Sequence, residues 1–408
     1  MEDLTRRALE RALQAGATYA DVRVVRRTTE NIQTKNGHVE AVSSGESAGF
    51  GVRVLADGAW GFASSRQIDA EEMERVAELA VRIARASALV KQADVSLAPV
   101  EPARGRFESP CQKDPFEVPL AEKTALLLDA DAALRRSPRV TVSEATMDFF
   151  REEKTFASTE GSYLEQTKTE SGAGVVATAT EAGEVQVRSY PAAFGGDYAA
   201  AGYEFIEGLD LVRGAETAGQ EAGELLDAPQ CPSGETDIIL EGQQLALQVH
   251  ESCGHPIELD RVFGTEASYA GTSFLTTDNR IPLIRMTNIN LEPGDWSLDE
   301  MIRDTREGLY LASNKSWSID DKRLNFQFGT EAAWEIRDGS LSRLLKNATY
   351  TGITYQFWRA CDAIARKREW RVWGLPNCGK GEPAPVAHVG HGVSSARFRG
   401  VRVGVMKG

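Results

Sequence analysis

At 408 residues the chain is long for one ordinary domain, and its length predicts two or three. Hydrophobic residues at 42% beside 26% charged ones exclude wholesale disorder, and no run approaches the roughly 18 apolar residues of a membrane span. A net charge of -14, with no basic run beyond pieces such as Arg366-Lys367-Arg368, argues against a nucleic-acid partner.

The opening segment MEDLTRRALERALQAG has no apolar core or small-residue cleavage site, so it reads as a surface helix rather than a signal peptide. Leu4, Ala8, Leu9, Ala12 and Leu13 share one helical face, and Gly16 stops it. From Tyr19 the texture turns to β. Asn36-Gly37 and Asp57-Gly58 sit between alternating runs, and both pairs tolerate the positive φ of a type I′ hairpin turn. Asp69 caps a long helix with Glu72 at capping-box spacing, and Met73, Val76, Leu79, Ala80, Ile83 and Ala84 form its apolar stripe. Residues 97–119 read as a loop, AEKTALLLDADAALRR as a second helix, and Arg139 to Tyr190 as a meander of short antiparallel strands. A helix from about Gly208 to Leu226 follows, and the linker DAPQCPSGE then marks a boundary.

Beyond it, TDIILE reads as a strand and GQQLALQVHESCG as a helix that Pro256 should end, because its ring disfavours the α conformation at His255. Alternating pieces around Asp338-Gly339 predict antiparallel sheet. The fold class is α+β. Residues 1–228 are expected to form an N-terminal α/β domain of antiparallel sheet with packed helices, and 229–408 a β-rich C-terminal domain carrying the helix that holds the candidate metal motif. The cysteines at 111, 231, 253, 361 and 378 are odd in number and include no C-x-x-C pair, which fits a reducing cytoplasm.

The chemistry concentrates in His250-Glu251-Ser252-Cys253-Gly254-His255, one residue longer than the H-E-x-x-H of zinc peptidases. On a regular α-helix positions five apart differ by about 140° and cannot grip one ion. A π-turn of roughly 4.4 residues brings them back into line. Gly254 and Pro256 offer the means to loosen the helix there. Glu251 would lie beside the metal, suited to act as general base toward a water that the ion acidifies. A third ligand is required, and Glu258, Asp260, Cys253 and Cys378 are all candidates.

These residues resemble the TldD/PmbA peptidase family, in its motif-bearing TldD-like branch. HESCGHPIELD is similar to the family's metal-binding helix, and RMTNINLEPG, GLYLASNKSWSIDD, FQFGTEAAWEIRDGSLSRLLKNATYTGIT and PNCGKGEP follow in the family's order. GFGVRVLADGAWGFASS is similar to its first domain, so the likeness runs through nearly the whole chain. The resemblance implies a zinc-dependent peptidase with one Zn2+ per chain, His250, His255 and Cys378 as ligands, and Glu251 as catalytic acid/base. It also implies hydrolysis of unfolded or extended peptides, for leader processing or degradation, inside a dimer. That dimer is a homodimer or a pairing with a motif-lacking TldE/PmbA-like subunit. The alternative is a non-catalytic peptide-binding or partner subunit, marked by a closed structural metal site with, for instance, Cys253 added. One departure stands out: between Leu275 and Thr276 the family usually carries several tens of further residues, which this sequence lacks.

Glu258 and Asp260, shared with the family pattern, could orient His255 or meet a substrate amine. Gly271, Thr272 and Ser273, with Tyr269 and Phe274, offer either an edge strand to an extended peptide or an internal hairpin strand. His388 and His391 could support the metal site or bind substrate. Cys253 reads as packing.

Overall fold

The computed structural model describes residues 1–265, 267–279, 286–379 and 386–405; Arg285 of RMTNINLEPG and the last four residues of PNCGKGEP lie outside the described residues. The first helix, α1 (Glu2–Gln14), buries Thr5, Ala8 and Ala12, while Leu13 stays exposed. Small side chains face inward because α1 lies close along α2 (Ala70–Ala88), whose Ala77, Ala80 and Ala84 share the same core. Asp69 accepts the Glu72 amide at 2.9 Å, but the Glu72 carboxylate turns to Arg75, so only half of the expected capping box forms.

Strands β1 (Tyr19–Lys35), β2 (His38–Ala56) and β3 (Ala59–Ser65) join through the two expected turns, with φ of 50° and 81° at Asn36-Gly37 and 51° and 74° at Asp57-Gly58. Residues 97–119 are not all loop. Arg104–Glu108 form an exposed edge strand, β4, whose lack of any buried face hides it from periodicity. The meander consists of β5 (Val140–Ser158), β6 (Tyr163–Glu181) and β7 (Glu184–Tyr190), the first two 19 residues each and longer than expected. With β8 (Asp197–Ala199) these strands make one sheet, ordered β3-β2-β1-β5-β6-β4, with β7 and β8 also on β6. Against it pack α3 (Leu120–Leu134), the short α4 (Glu204–Gly208) and α5 (Leu211–Asp227).

The second sheet contains β9 (Gly234–Leu240), β10 (Glu307–Ile319), β11 (Asn325–Arg337), β12 (Ser340–Leu345), β13 (Ala348–Ile353), β14 (Cys361–Ile364) and β17 (Ala396–Val405). Its pairings run β10-β9-β17-β13-β11 and return from β11 to β10, so five strands close into a ring. Between them, β15 (Arg371–Gly379) and β16 (Val386–Val393) form a separate ribbon. The expected α+β class is borne out. Among the described residues no helix is long and apolar enough to cross a membrane.

The two sheets are joined by buried charge. Arg188 on β7 reaches Glu331 on β11 at 3.3 Å and Glu221 on α5 at 2.8 Å, while the Ser189 amide and hydroxyl donate to Glu331 at 2.8 and 2.7 Å. Burial pushes the Glu331 carboxyl up, opposed by the Arg188 charge and by the Ser189 hydrogen bonds.

Candidate metal centre

The helix that follows β9, α6 (Gly242–Val249), is buried on every side, with its apolar residues packed among side chains of the strand ring. A helix so enclosed must satisfy its polar groups internally. Gln244 donates to the Tyr350 hydroxyl at 2.8 Å, Tyr350 donates to Gln248 at 2.8 Å, and Gln248 donates to Ser252 at 3.0 Å. Trp358 adds an indole N–H to the Ser252 hydroxyl at 3.0 Å. This chain of bonds fixes the rotation of the helix just where the histidines begin.

His250–Gly254 form a π-helical turn, closed by the His255 amide donating to the His250 carbonyl. The extra residue of the hexapeptide is accommodated as the geometry of the spacing requires. Gly254 has an ordinary φ of -67°. Its role is room, because a Cβ there would lie 2.5 Å from the Met286 Cε. Pro256 does not end the helix, contrary to expectation: the chain continues as a 3-10 turn over His255–Ile257, and the π hydrogen bond holds His255 in the α region despite the following proline.

The rings of His250 and His255 stand edge to face, 4.8 Å between centroids. His255 Nδ1 donates to Glu258 Oε2 at 2.9 Å, leaving its Nε2 free to ligate. Burial alone would raise the Glu258 carboxyl, but hydrogen bonds from His255, from Arg261 Nε at 2.8 Å and from the Met286 amide at 3.0 Å hold it at about 2. His250 Nδ1 lies 2.8 Å from His391 Nε2, and His391 Nδ1 lies 2.9 Å from the Ile289 carbonyl. The Ile289 amide also approaches His391 Nδ1, at 3.3 Å, and the shorter carbonyl contact favours one tautomer chain. His391 Nδ1–H donates to the carbonyl, its Nε2 accepts from His250 Nδ1–H, and His250 Nε2 keeps a lone pair. Burial, with His255, His391 and Arg323 nearby, pushes His250 well below its usual pKa, and burial takes His391 down to about 4, so both rings are neutral near pH 7.

Cys378 arrives from β15, where one extra residue between Leu375 and Cys378 shifts the register against β16 and resets the side-chain alternation. It is buried, and one ligand-type atom from each of His250, His255 and Cys378 lies within 4.8 Å of the others. Two imidazoles and a thiol are a donor set suited to zinc. Among the described residues no fourth His, Cys or acidic side chain joins the group. Cys253 is not part of it; burial raises its thiol to about 12, and it packs on the core.

Glu251 is buried beside the group and paired with Arg323, which projects from the turn between β10 and β11 at a φ of 60°. The sequence singled out neither Arg323 nor Arg261. The only local signal for Arg323 is its place in the Asp320-Asp321-Lys322-Arg323 turn.

The other candidates scatter. Asp260 is half-buried on the five-residue helix Leu259–Phe263. Gly271, Thr272 and Ser273 run beside the same turn as Arg323: the Thr272 and Phe274 amides donate to the Asp321 and Lys322 carbonyls at 2.9 Å, and the Ser273 hydroxyl to the Pro256 carbonyl at 2.7 Å. His391 is fully buried behind His250 with both ring nitrogens engaged, which leaves none for a substrate. His388 instead pairs with Glu170 of β6 at 2.7 Å. A cavity of about 190 Å³ opens onto His250, Glu251, His255 and Cys378, with Phe194 and Trp317 also in its wall.

Sequence profiles of one family match most of the chain: PmbA/TldA metallopeptidase domain 1 over residues 20–84, the central domain over 113–227 and the C-terminal domain over 263–405. A metalloprotease of Methanothermobacter thermautotrophicus is 26% identical, the match taking in 95% of each chain. That match extends over 450 aligned positions, more than the 408 residues here, so the relative carries residues with no counterpart in this chain. A zinc metalloprotease TldD homolog of Saccharolobus solfataricus is 30% identical over 84 residues, covering 21% of this chain and 19% of that one. In fold, the crystal structure of TldE from Thermococcus kodakarensis superposes with a TM-score of 0.71 at 12% identity, over 98% of this chain and 99% of that one. With three successive profiles matched in order along its length, the chain belongs to the PmbA/TldD metallopeptidase family.

Proposed function

We propose that the protein is a zinc peptidase that hydrolyses unfolded or extended peptides, with His250, His255 and Cys378 holding one ion and Glu251 moving the proton. The convergence of two imidazoles and a thiol on one cavity, with a carboxylate beside them, carries this reading. When bound, zinc supplies Lewis acidity toward a carbonyl oxygen and a water. Glu251 then takes a proton from the water and delivers it to the leaving amine. Arg323 holds the Glu251 carboxylate in place and keeps it from turning into the core. His391 and Glu258 fix the tautomers and orientations of the two histidines. Asp260, Gly271, Thr272 and Ser273, which lie outside the cavity lining, are assigned to contacts with the peptide beyond it.

The names of the relatives support metalloprotease chemistry, and one of them names zinc. Among the described residues the donor set has three members, with Cys253 outside it, which favours an open coordination position over the closed structural site of a non-catalytic subunit. Because this chain keeps the motif, it is the catalytic member of its dimer, whether with a second copy or with a motif-lacking TldE/PmbA-like partner. We further assign residues 1–228 and 229–408 to two domains and the protein to the cytoplasm.

Chelation tests the reading. Stripping the metal should abolish cleavage of an unstructured fluorogenic peptide, and zinc should restore it. Cys378→Ser should bind zinc at least about tenfold more weakly. Undiminished cleavage by metal-free protein, or normal zinc affinity in Cys378→Ser, would overturn it.

A further inference from the structure

The cavity beside the metal group runs along a single face of α6. Gln243, Ala246, Leu247 and His250 all line it, at the i, i+3, i+4, i+7 spacing of one helical stripe. At a rise of 1.5 Å per residue the stripe spans roughly 10 Å, with Ala246 and Leu247 about 5 Å from His250 along the axis. Three aromatic side chains, Phe194, Trp317 and Trp373, line the same cavity. Apart from Glu251, no charged side chain among the described residues lines the cavity.

Phe194 and Trp317 come from different sheets, the first from the segment joining β7 to β8 and the second from β10, and they meet edge to face at 5.3 Å. They are 46% and 44% exposed, so neither is a core residue. Phe194 holds a φ of 59°, a conformation that bulky residues rarely adopt and that, where seen, clusters at ligand-binding features. Its segment is seated firmly, because Gly196 lies so close to β6 that a Cβ would fall 1.9 Å from the Ala173 carbonyl oxygen. The chain thus holds an open aromatic ring pair in the wall of the cavity that also reaches the metal group.

We infer that the part of the cavity walled by Phe194, Trp317, Ala246 and Leu247 is a side-chain subsite that selects a benzene-sized apolar residue directly flanking the scissile bond. The inference rests on the peptidase reading above. An extended peptide advances about 3.3 Å per residue, so a pocket walled by Ala246 and Leu247, one helical turn from the ligating His250, receives the side chain next to the reacting carbonyl. The cavity as a whole, the space over the metal group included, measures about 190 Å³, against the roughly 150 Å³ of an apolar cavity that takes up benzene. A charged side chain there would lose its hydration without a partner, and glycine would leave the space unfilled.

The test uses the full-length, zinc-loaded protein and a mixture of unstructured peptides with randomised positions, the cleavage sites being mapped by mass spectrometry. One of the two positions flanking the cut should favour Phe, Tyr, Leu and Met over Gly and Asp by about tenfold or more. Ala246→Phe, which fills the pocket, should turn that preference toward Gly and Ala. Phe194→Ala, at an exposed position where folding is not at risk, should reduce the preference for aromatic residues by raising KM. A flat distribution at both flanking positions, or a preference unchanged in Phe194→Ala and in folded Ala246→Phe, would overturn the subsite. Failure of the zinc-loaded wild type to cleave any peptide would overturn the peptidase reading instead.

Discussion

His391 and Arg323 do their work through other residues. With the tautomer of His250 set by His391, His391→Ala should weaken zinc binding by about 10- to 100-fold, read by titration against a chromophoric chelator. An unchanged affinity would show that the His250 ring needs no such support. Arg323→Met should leave zinc content intact and lower kcat by about 10- to 100-fold with little change in KM, because it releases Glu251 without touching a ligand. Arg323→Lys should recover part of the loss. Equal defects in the Met and Lys variants would mean that the arginine acts on folding rather than on Glu251.

The π-turn is the element on which the site depends. Gly254→Val should cost roughly 1–3 kcal/mol by forcing a branched side chain against Met286, and should weaken zinc binding as His255 is displaced. Thermal unfolding with and without zinc separates these effects, and wild-type stability and affinity together would refute the packing argument. This turn was legible in the sequence, since a five-residue spacing between two ligands forces a wider helix. So were the hairpins at Asn36-Gly37, Asp57-Gly58 and Asp338-Gly339, whose turn chemistry is local. Closure of the strand ring was not legible, because β9 pairs with β17 across most of the second half of the chain and no local pattern encodes that register. The edge strand β4 was missed for want of a buried face. Spacing alone left four residues competing for the third ligand; the resemblance favoured Cys378, and the bulge in β15 that turns it inward has no signature in Pro376-Asn377 strong enough to read beforehand. Pro256 misled, because the π-turn hydrogen bond from the His255 amide to the His250 carbonyl outweighed its local preference.

At the scale of the molecule, the cavity depends on two sheets held at a fixed separation, for Phe194 follows a strand of one and Trp317 lies on β10 of the other. The Arg188–Glu331 pair spans that junction. Arg188→Met should cost about 3–5 kcal/mol in urea denaturation by leaving Glu331 buried without its partner, and Arg188→Met with Glu331→Gln should cost less. A single variant as stable as wild type would contradict a structural role for the pair. The central claim is that the metal group is catalytic and that Glu251 carries the proton. It is tested most directly by measuring zinc content and peptide cleavage of Glu251→Gln beside wild type. The account predicts one zinc per chain in both, with cleavage lowered at least about 100-fold in the variant. Cleavage by Glu251→Gln at the wild-type rate would contradict it.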